Sequence, residues 1–207
     1  MYLPKHFAED DVAEMHALMR ANPLATLISH GPDGLNANHI PLLLSDAEPC
    51  GKLQGHVARA NPLWKPEQSS GEVLVVFHGN ESYISPSGYA TKAEHGKVVP
   101  TWNYAAVHAY GELTVIDDPA WVLKQVSALT AVHETDFPQP WAVSDAPADY
   151  IEKMLGAIVG IEITVTRLLG KWKVSQNQPA ENRASLIAAL EKAGNPAMAG
   201  LIRARQQ

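Results

Sequence analysis

The pattern that most constrains this chain is a succession of about seven strand-like runs, each bounded by turn residues and broken by one long helical crossover. Leu24–Ser29 and Asn36–Leu44 flank Gly31-Pro32-Asp33-Gly34 and read as a hairpin with a four-residue connection. Lys52–Ala58 follows, then Glu72–Phe77, whose nearly continuous apolar character predicts burial on both faces. Val107–Ile116 alternates, and Ile158–Val165 with Leu169–Ser175 reads as a last pair around Leu168-Leu169-Gly170. Helical spacing occurs at Glu9–Arg20, at Trp121–Val132 behind the start signal Asp118-Pro119, at Ala148–Leu155, at Glu181–Ala193 and from Asn195-Pro196 to Arg205. Strands joined by hairpins, without repeated βαβ units, argue against a doubly wound sheet. They predict a mainly β, α+β chain: a closed or nearly closed antiparallel barrel with peripheral helices.

Composition narrows the function classes. The 207 residues suffice for one substantial core, and no apolar run is long enough to span a bilayer. The start, MYLPKHFAEDD, lacks the apolar segment of a secretory signal. A single cysteine, Cys50, excludes an intrachain disulfide and fits a reducing cytoplasm. The net charge of −6 removes the general basic character that favours nucleic acid, so direct DNA binding is not supported by charge. Residues 179–207 carry a mild local basic excess, for which a solvated helix face is the common explanation. The nine histidines are dispersed, and no metal-ligand spacing, nucleotide-binding glycine motif or nucleophile elbow is present.

Three segments could carry chemistry. The stretch from Ile84 to Gly111 holds lysines, histidine and the tripeptide Trp102-Asn103-Tyr104, far more functional equipment than a mere connection needs. At Gly55–Pro62, His56 and Arg59 end a strand, and Asn61-Pro62 reads as the start of a helix. A helix N-terminus beside a guanidinium suits a phosphate monoester, whereas a strand-end arginine paired to a carboxylate is the commoner arrangement. Ser175-Gln176-Asn177 and Asn103 bring carboxamides, whose adjacent donor and acceptor match the pyrimidine edge of a flavin, and they are also frequent turn caps. Taken together, the three segments point toward a phosphorylated planar heterocycle.

MYLPKHF, PLATLI, GLNANHIPLLL, GHVARANPLW, KAEHGKVVPTWNYAAVHAYG and GKWKVSQNQP, in this order from Met1 to about Leu190, resemble the PaiB-like FMN-binding negative transcriptional regulator family. Gly88 and Tyr110 depart from its pattern, standing where a Trp and a His are usual. The resemblance implies an antiparallel split β-barrel of the FMN-binding type, a homodimer, and FMN as cofactor. It places His56, Arg59 and Asn61 in the segment near the phosphate, and Trp102, Asn103, Tyr104, Ser175, Gln176 and Asn177 in two further hallmark motifs. Residues 1–178 are expected to form the FMN-binding domain and 179–207 a C-terminal helical extension beside it. The expected function is regulation through bound flavin in the cytoplasm. The alternatives are a flavin-dependent oxidoreductase without a regulatory role and a haem-binding or haem-degrading protein.

Overall fold

The structure, a computed structural model, describes residues 1–47, 49–68 and 71–205. Its strands are β1 (Ala8–Glu9), β2 (Leu24–Gly31), β3 (Gly34–Pro41), β4 (Leu43–Ser45), β5 (Lys52–Ala58), β6 (Glu72–Ile84), β7 (Thr101–Ile116) and β8 (Ile158–Lys173). Its helices are α1 (Val12–Ala21), α2 (Lys92–His95), α3 (Pro119–Glu134), α4 (Ala148–Leu155), α5 (Ala180–Lys192) and α6 (Pro196–Ala204). Among the described residues the strands form an antiparallel sheet in the order β3-β2-β6-β7-β8-β5-β4, with β1 added on β8. The chain divides into two compact units. The first comprises Met1–Leu18, His78–Val107 and the chain from Leu169, and the second comprises Met19–Phe77 and His108–Leu168.

In the second unit β2 and β3 pair from Leu24↔Pro41 to Gly31↔Gly34. The expected four-residue connection is therefore a two-residue turn, Pro32-Asp33, because both glycines join the ladder. β5 pairs with β8 from Lys52↔Thr164 to Ala58↔Ile158, and strict alternation sends Leu53 and Val57 inward with Val159, Ile161 and Ile163. Glu72–Phe77 is buried at Val73, Val75, Val76 and Phe77, as its apolar run predicts. Lys52 and Gln54 each donate a hydrogen bond to Glu162, at 2.7 and 2.8 Å. In the first unit Phe7, Met15, Trp172, Leu186, Leu190, Met198 and Ile202 make the core. The buried positions Asn182, Leu186, Ile187 and Leu190 fall on one face of α5.

Other elements differ from the sequence expectation: β6 runs on past Phe77 to Ile84, and β7 starts at Thr101 rather than Val107. The helix expected after Asn61-Pro62 is a single turn, Pro62–Trp64. Pro66 cannot donate to continue it, and Lys65, standing before that proline, is held extended at ψ 136°. The expected last strand pair is one continuous strand, β8, running through Leu169-Gly170. Gly170 makes no turn there. It admits β1, since a Cβ at this position would lie 2.9 Å from the Glu9 carbonyl oxygen and 2.8 Å from Met15 Sδ.

Gly170→Ala should therefore destabilise the protein by about 1–3 kcal/mol through overpacking. Gly200→Ala, in α6 with open space around the new methyl, should stabilise it by roughly 0.5–1 kcal/mol. Urea midpoints measure both. Burial raises the Glu162 carboxyl, but the bonds from Lys52 and Gln54 and the Lys52 charge outweigh it and hold the group below its ordinary value. Because the folded pKa is the lower one, this stabilisation is present above the ordinary glutamate value and is lost as pH falls through the folded one. Glu162→Gln should accordingly flatten the acid limb of a stability-versus-pH profile.

Candidate functional site

The end of β8 carries the most constrained backbone in the first unit. Ser175 has φ 66°, the one non-glycine residue with positive φ among those described, and it is buried. Such a conformation persists where its surroundings hold it, and it clusters at functional positions. Here the holder is Asn103, 1% exposed on β7, whose Nδ2 donates to Ser175 Oγ at 2.9 Å. Gln176 braces the same turn by accepting from Val174 N and donating to the Trp172 carbonyl.

Alternation along β7 separates the tripeptide. Asn103 goes inward, while Trp102 is 55% exposed and meets the Tyr83 ring edge-on at 5.9 Å. The Tyr104 ring lies 5.3 Å from the Lys171 amine, which also stands over Tyr2 and donates to its carbonyl. Tyr2, Tyr83 and Trp102 thus leave aromatic surface exposed in this unit. The residues expected as one loop motif serve separate purposes, Asn103 as an internal tie, Trp102 as exposed aromatic surface and Tyr104 as a half-buried partner of Lys171.

Helix α5 supplies what the sequence reading missed. Asn182 Oδ1 accepts from both the backbone N–H and the hydroxyl of Thr91, each at 3.1 Å, and Nδ2 donates to Gln178 Oε1. Ser185 accepts from Ala90 N and donates to the Gly88 carbonyl. Arg183 donates to the carbonyls of Gln176 and Gln178. One helix therefore ties down both the segment after β6 and the turn after β8. The signal was available in the sequence: Asn182 is a polar residue on the stripe Leu186, Ile187, Leu190. Gly88 is seated on this helix, and a Cβ there would be 3.1 Å from Leu186 Cδ1.

A small cavity of about 120 Å³ opens between these pieces, lined by Tyr89, Val99, Thr101, Asn103, Lys173 and Ser175 with Asn177 and Gln178. Lys173 donates to Thr101 Oγ1 and to the Trp102 carbonyl. Burial, and secondarily the Lys171 charge, lower its pKa. Burial also pushes the Tyr89 phenol up, an effect that nearby Ser175 partly offsets without reaching hydrogen-bond geometry.

The remaining expected residues belong to the second unit. His56 Nδ1 meets Gln125 Oε1 at 2.8 Å. Arg59 grips Asp117 with two bonds, 2.9 and 2.6 Å, and reaches the Gly156 and Ile158 carbonyls. That bonding holds the Asp117 carboxyl below its ordinary range. Asn61 caps its turn at Leu63 N and donates to Asn38 Oδ1 at 2.7 Å. Of the two arrangements the sequence left open for Arg59, this unit holds the arginine–carboxylate pair. His56, like Arg59 and Asn61, meets a partner within the protein. Tyr110 lies under the Arg167 guanidinium, 3.6 Å from its ring centre. No cluster of metal-ligating side chains occurs among the described residues.

Residues 1–167 match the family model described as "Putative FMN-binding domain". An uncharacterized protein of Emericella nidulans is 36% identical over 99% of this chain and 97% of its own length. The "Protease synthase and sporulation protein PAI 2" of Bacillus subtilis is 29% identical over 95% of this chain and 92% of its own. Among solved structures, a conserved hypothetical protein from Mycobacterium tuberculosis superposes with a TM-score of 0.58 at 12% identity, covering 86% of this chain and 94% of the other. The FAD and haem binding protein from Mycobacterium smegmatis gives 0.58 at 15% identity, over 80% and 73%. At such identities the structural likeness establishes the fold, an antiparallel split β-barrel with peripheral helices.

Asn182→Ala should cost about 2–3 kcal/mol, since it strands the buried Thr91 N–H and hydroxyl. A lowered urea midpoint with an unchanged slope would agree, and an unchanged midpoint would show that α5 does not hold the loop.

Proposed function

The chain belongs to the "Putative FMN-binding domain" family, and on that premise we propose that it acts through bound FMN as a regulator of the PaiB-like kind. FMN is the cofactor, and when bound it supplies one- or two-electron chemistry. The residues of the first unit fit such a group. Trp102 with Tyr83 offers exposed aromatic faces for a planar ring, and half-buried Tyr104 stands beside the Lys171 amine. Asn177, exposed at the cavity rim, has a carboxamide that can give and take a hydrogen bond on a pyrimidine edge. Asn103, Ser175 and Gln176 position these groups from within. His56, Arg59 and Asn61, each held by a partner within the second unit, brace the end of β5.

The observation that carries the proposal is the exposed aromatic surface anchored by the buried Asn103–Ser175 bond. Regulation on this reading is indirect, because the net charge of −6 does not favour reading a duplex through its phosphates. We also propose a two-fold homodimer in the cytoplasm. Phe137, Trp141, Tyr150 and Met154, all exposed in the second unit, support a second copy. Among the described residues no helix is long and apolar enough to cross a membrane.

Purified protein should carry FMN, identified by its absorbance and mass, and Trp102→Ala should weaken binding about tenfold by removing a stacking face. Failure of the flavin-free chain to take up FMN at any concentration would end this reading. Light scattering should give twice the chain mass, and a monomer at working concentration would remove the dimer.

A further inference from the structure

The cavity after β8 brings an unmet phenol hydroxyl together with a lysine amine. Tyr89 is 4% exposed and lines the cavity, and its hydroxyl finds no hydrogen-bond partner. Leaving a buried hydroxyl unmet costs free energy, which a water or a bound group inside the cavity would recover. Lys173 lines the same cavity. An ammonium has three donors, and two are used on Thr101 Oγ1 and the Trp102 carbonyl, which leaves one. Lys173 is half-buried, and no carboxylate is among the lining residues. Around these two stand the polar side chains of Asn177 and Gln178 and the strained Ser175. At about 120 Å³ the space falls well below what a ring system requires and suits one small group.

We propose that this cavity is an oxyanion subsite, which holds one phosphate- or carboxylate-sized group on Lys173 Nζ and Tyr89 Oη. A charged oxygen accepts the last lysine N–H and the tyrosine O–H together, which satisfies the orphan hydroxyl and sets a negative charge against the lysine. Two sources share this chemistry, a free oxyanion and the phosphate tail of the flavin itself. The subsite does not depend on the flavin reading, because it rests on donors, burial and charge in the first unit alone.

Inorganic phosphate is the probe for the subsite. Titrating the whole flavin-free chain into phosphate should broaden its phosphorus resonance. Lys173→Met should abolish the broadening, and the near-isosteric Tyr89→Phe should weaken affinity about tenfold, the worth of one bond to a charged group. Should Lys173→Met fail to fold, Tyr89→Phe decides. Equal broadening in all three proteins would mean an adventitious ion only and would overturn the subsite. FMN and riboflavin then separate the sources. An FMN preference that disappears in Lys173→Met and survives Arg59→Ala identifies the tail as the oxyanion. Equal affinity for both flavins, with phosphate still bound, identifies a free oxyanion. Phosphate binding without uptake of either flavin upholds the subsite while the flavin reading fails. An FMN preference lost only in Arg59→Ala, with phosphate broadening indifferent to Lys173→Met, contradicts the subsite.

Discussion

The buried hydrogen bond between Asn103 and Ser175 is the contact on which the candidate site depends. A serine in the left-handed region is unfavourable by itself and is retained only where neighbours over-determine it. Asn103 supplies that restraint from β7, and Gln176 and Arg183 repeat it through backbone groups on either side. With the turn fixed, Lys173 and Tyr89 converge on one cavity, and Trp102 is left facing outward. Burying such a polar set is costly unless nearly every member is satisfied. Tyr89 is the conspicuous exception, and its unmet hydroxyl is what gives the cavity a chemical meaning.

Much of the fold was legible because strand alternation and helix caps are local. β5 and α4 match their expected bounds residue for residue, and α3 begins at the Asp118-Pro119 signal. The misreadings share a cause, since glycine and proline signal a turn in isolation but answer to tertiary neighbours. Leu169-Gly170 resembled a turn, yet Gly170 serves close approach of β1. Asn61-Pro62 resembled a helix start, and Pro66 allowed one turn. Trp102-Asn103-Tyr104 lay in a stretch without a clear period, which hid the start of β7, whereas Asn103 is buried on that strand.

The site was legible in part. Its hallmark segments were visible as side-chain types, but the division of labour within them was not, because alternation decides which of three consecutive residues turns inward. Nor could spacing show that α5 clamps both segments: Asn182 and Thr91 lie far apart in the chain and meet only through packing. The arginine at the end of β5 illustrates the opposite case. Its chemistry suits phosphate, but its geometry commits all three guanidinium nitrogens to protein acceptors. Where a ligand is to be bound, the groups with unmet capacity are better guides than those with the most suggestive names.

Amide hydrogen exchange of the whole chain with and without FMN tests this account most directly, because it reads where the flavin orders the backbone. The prediction is protection concentrated in residues 85–104 and 171–178. Protection confined to residues 56–61, or none on adding FMN, would contradict it.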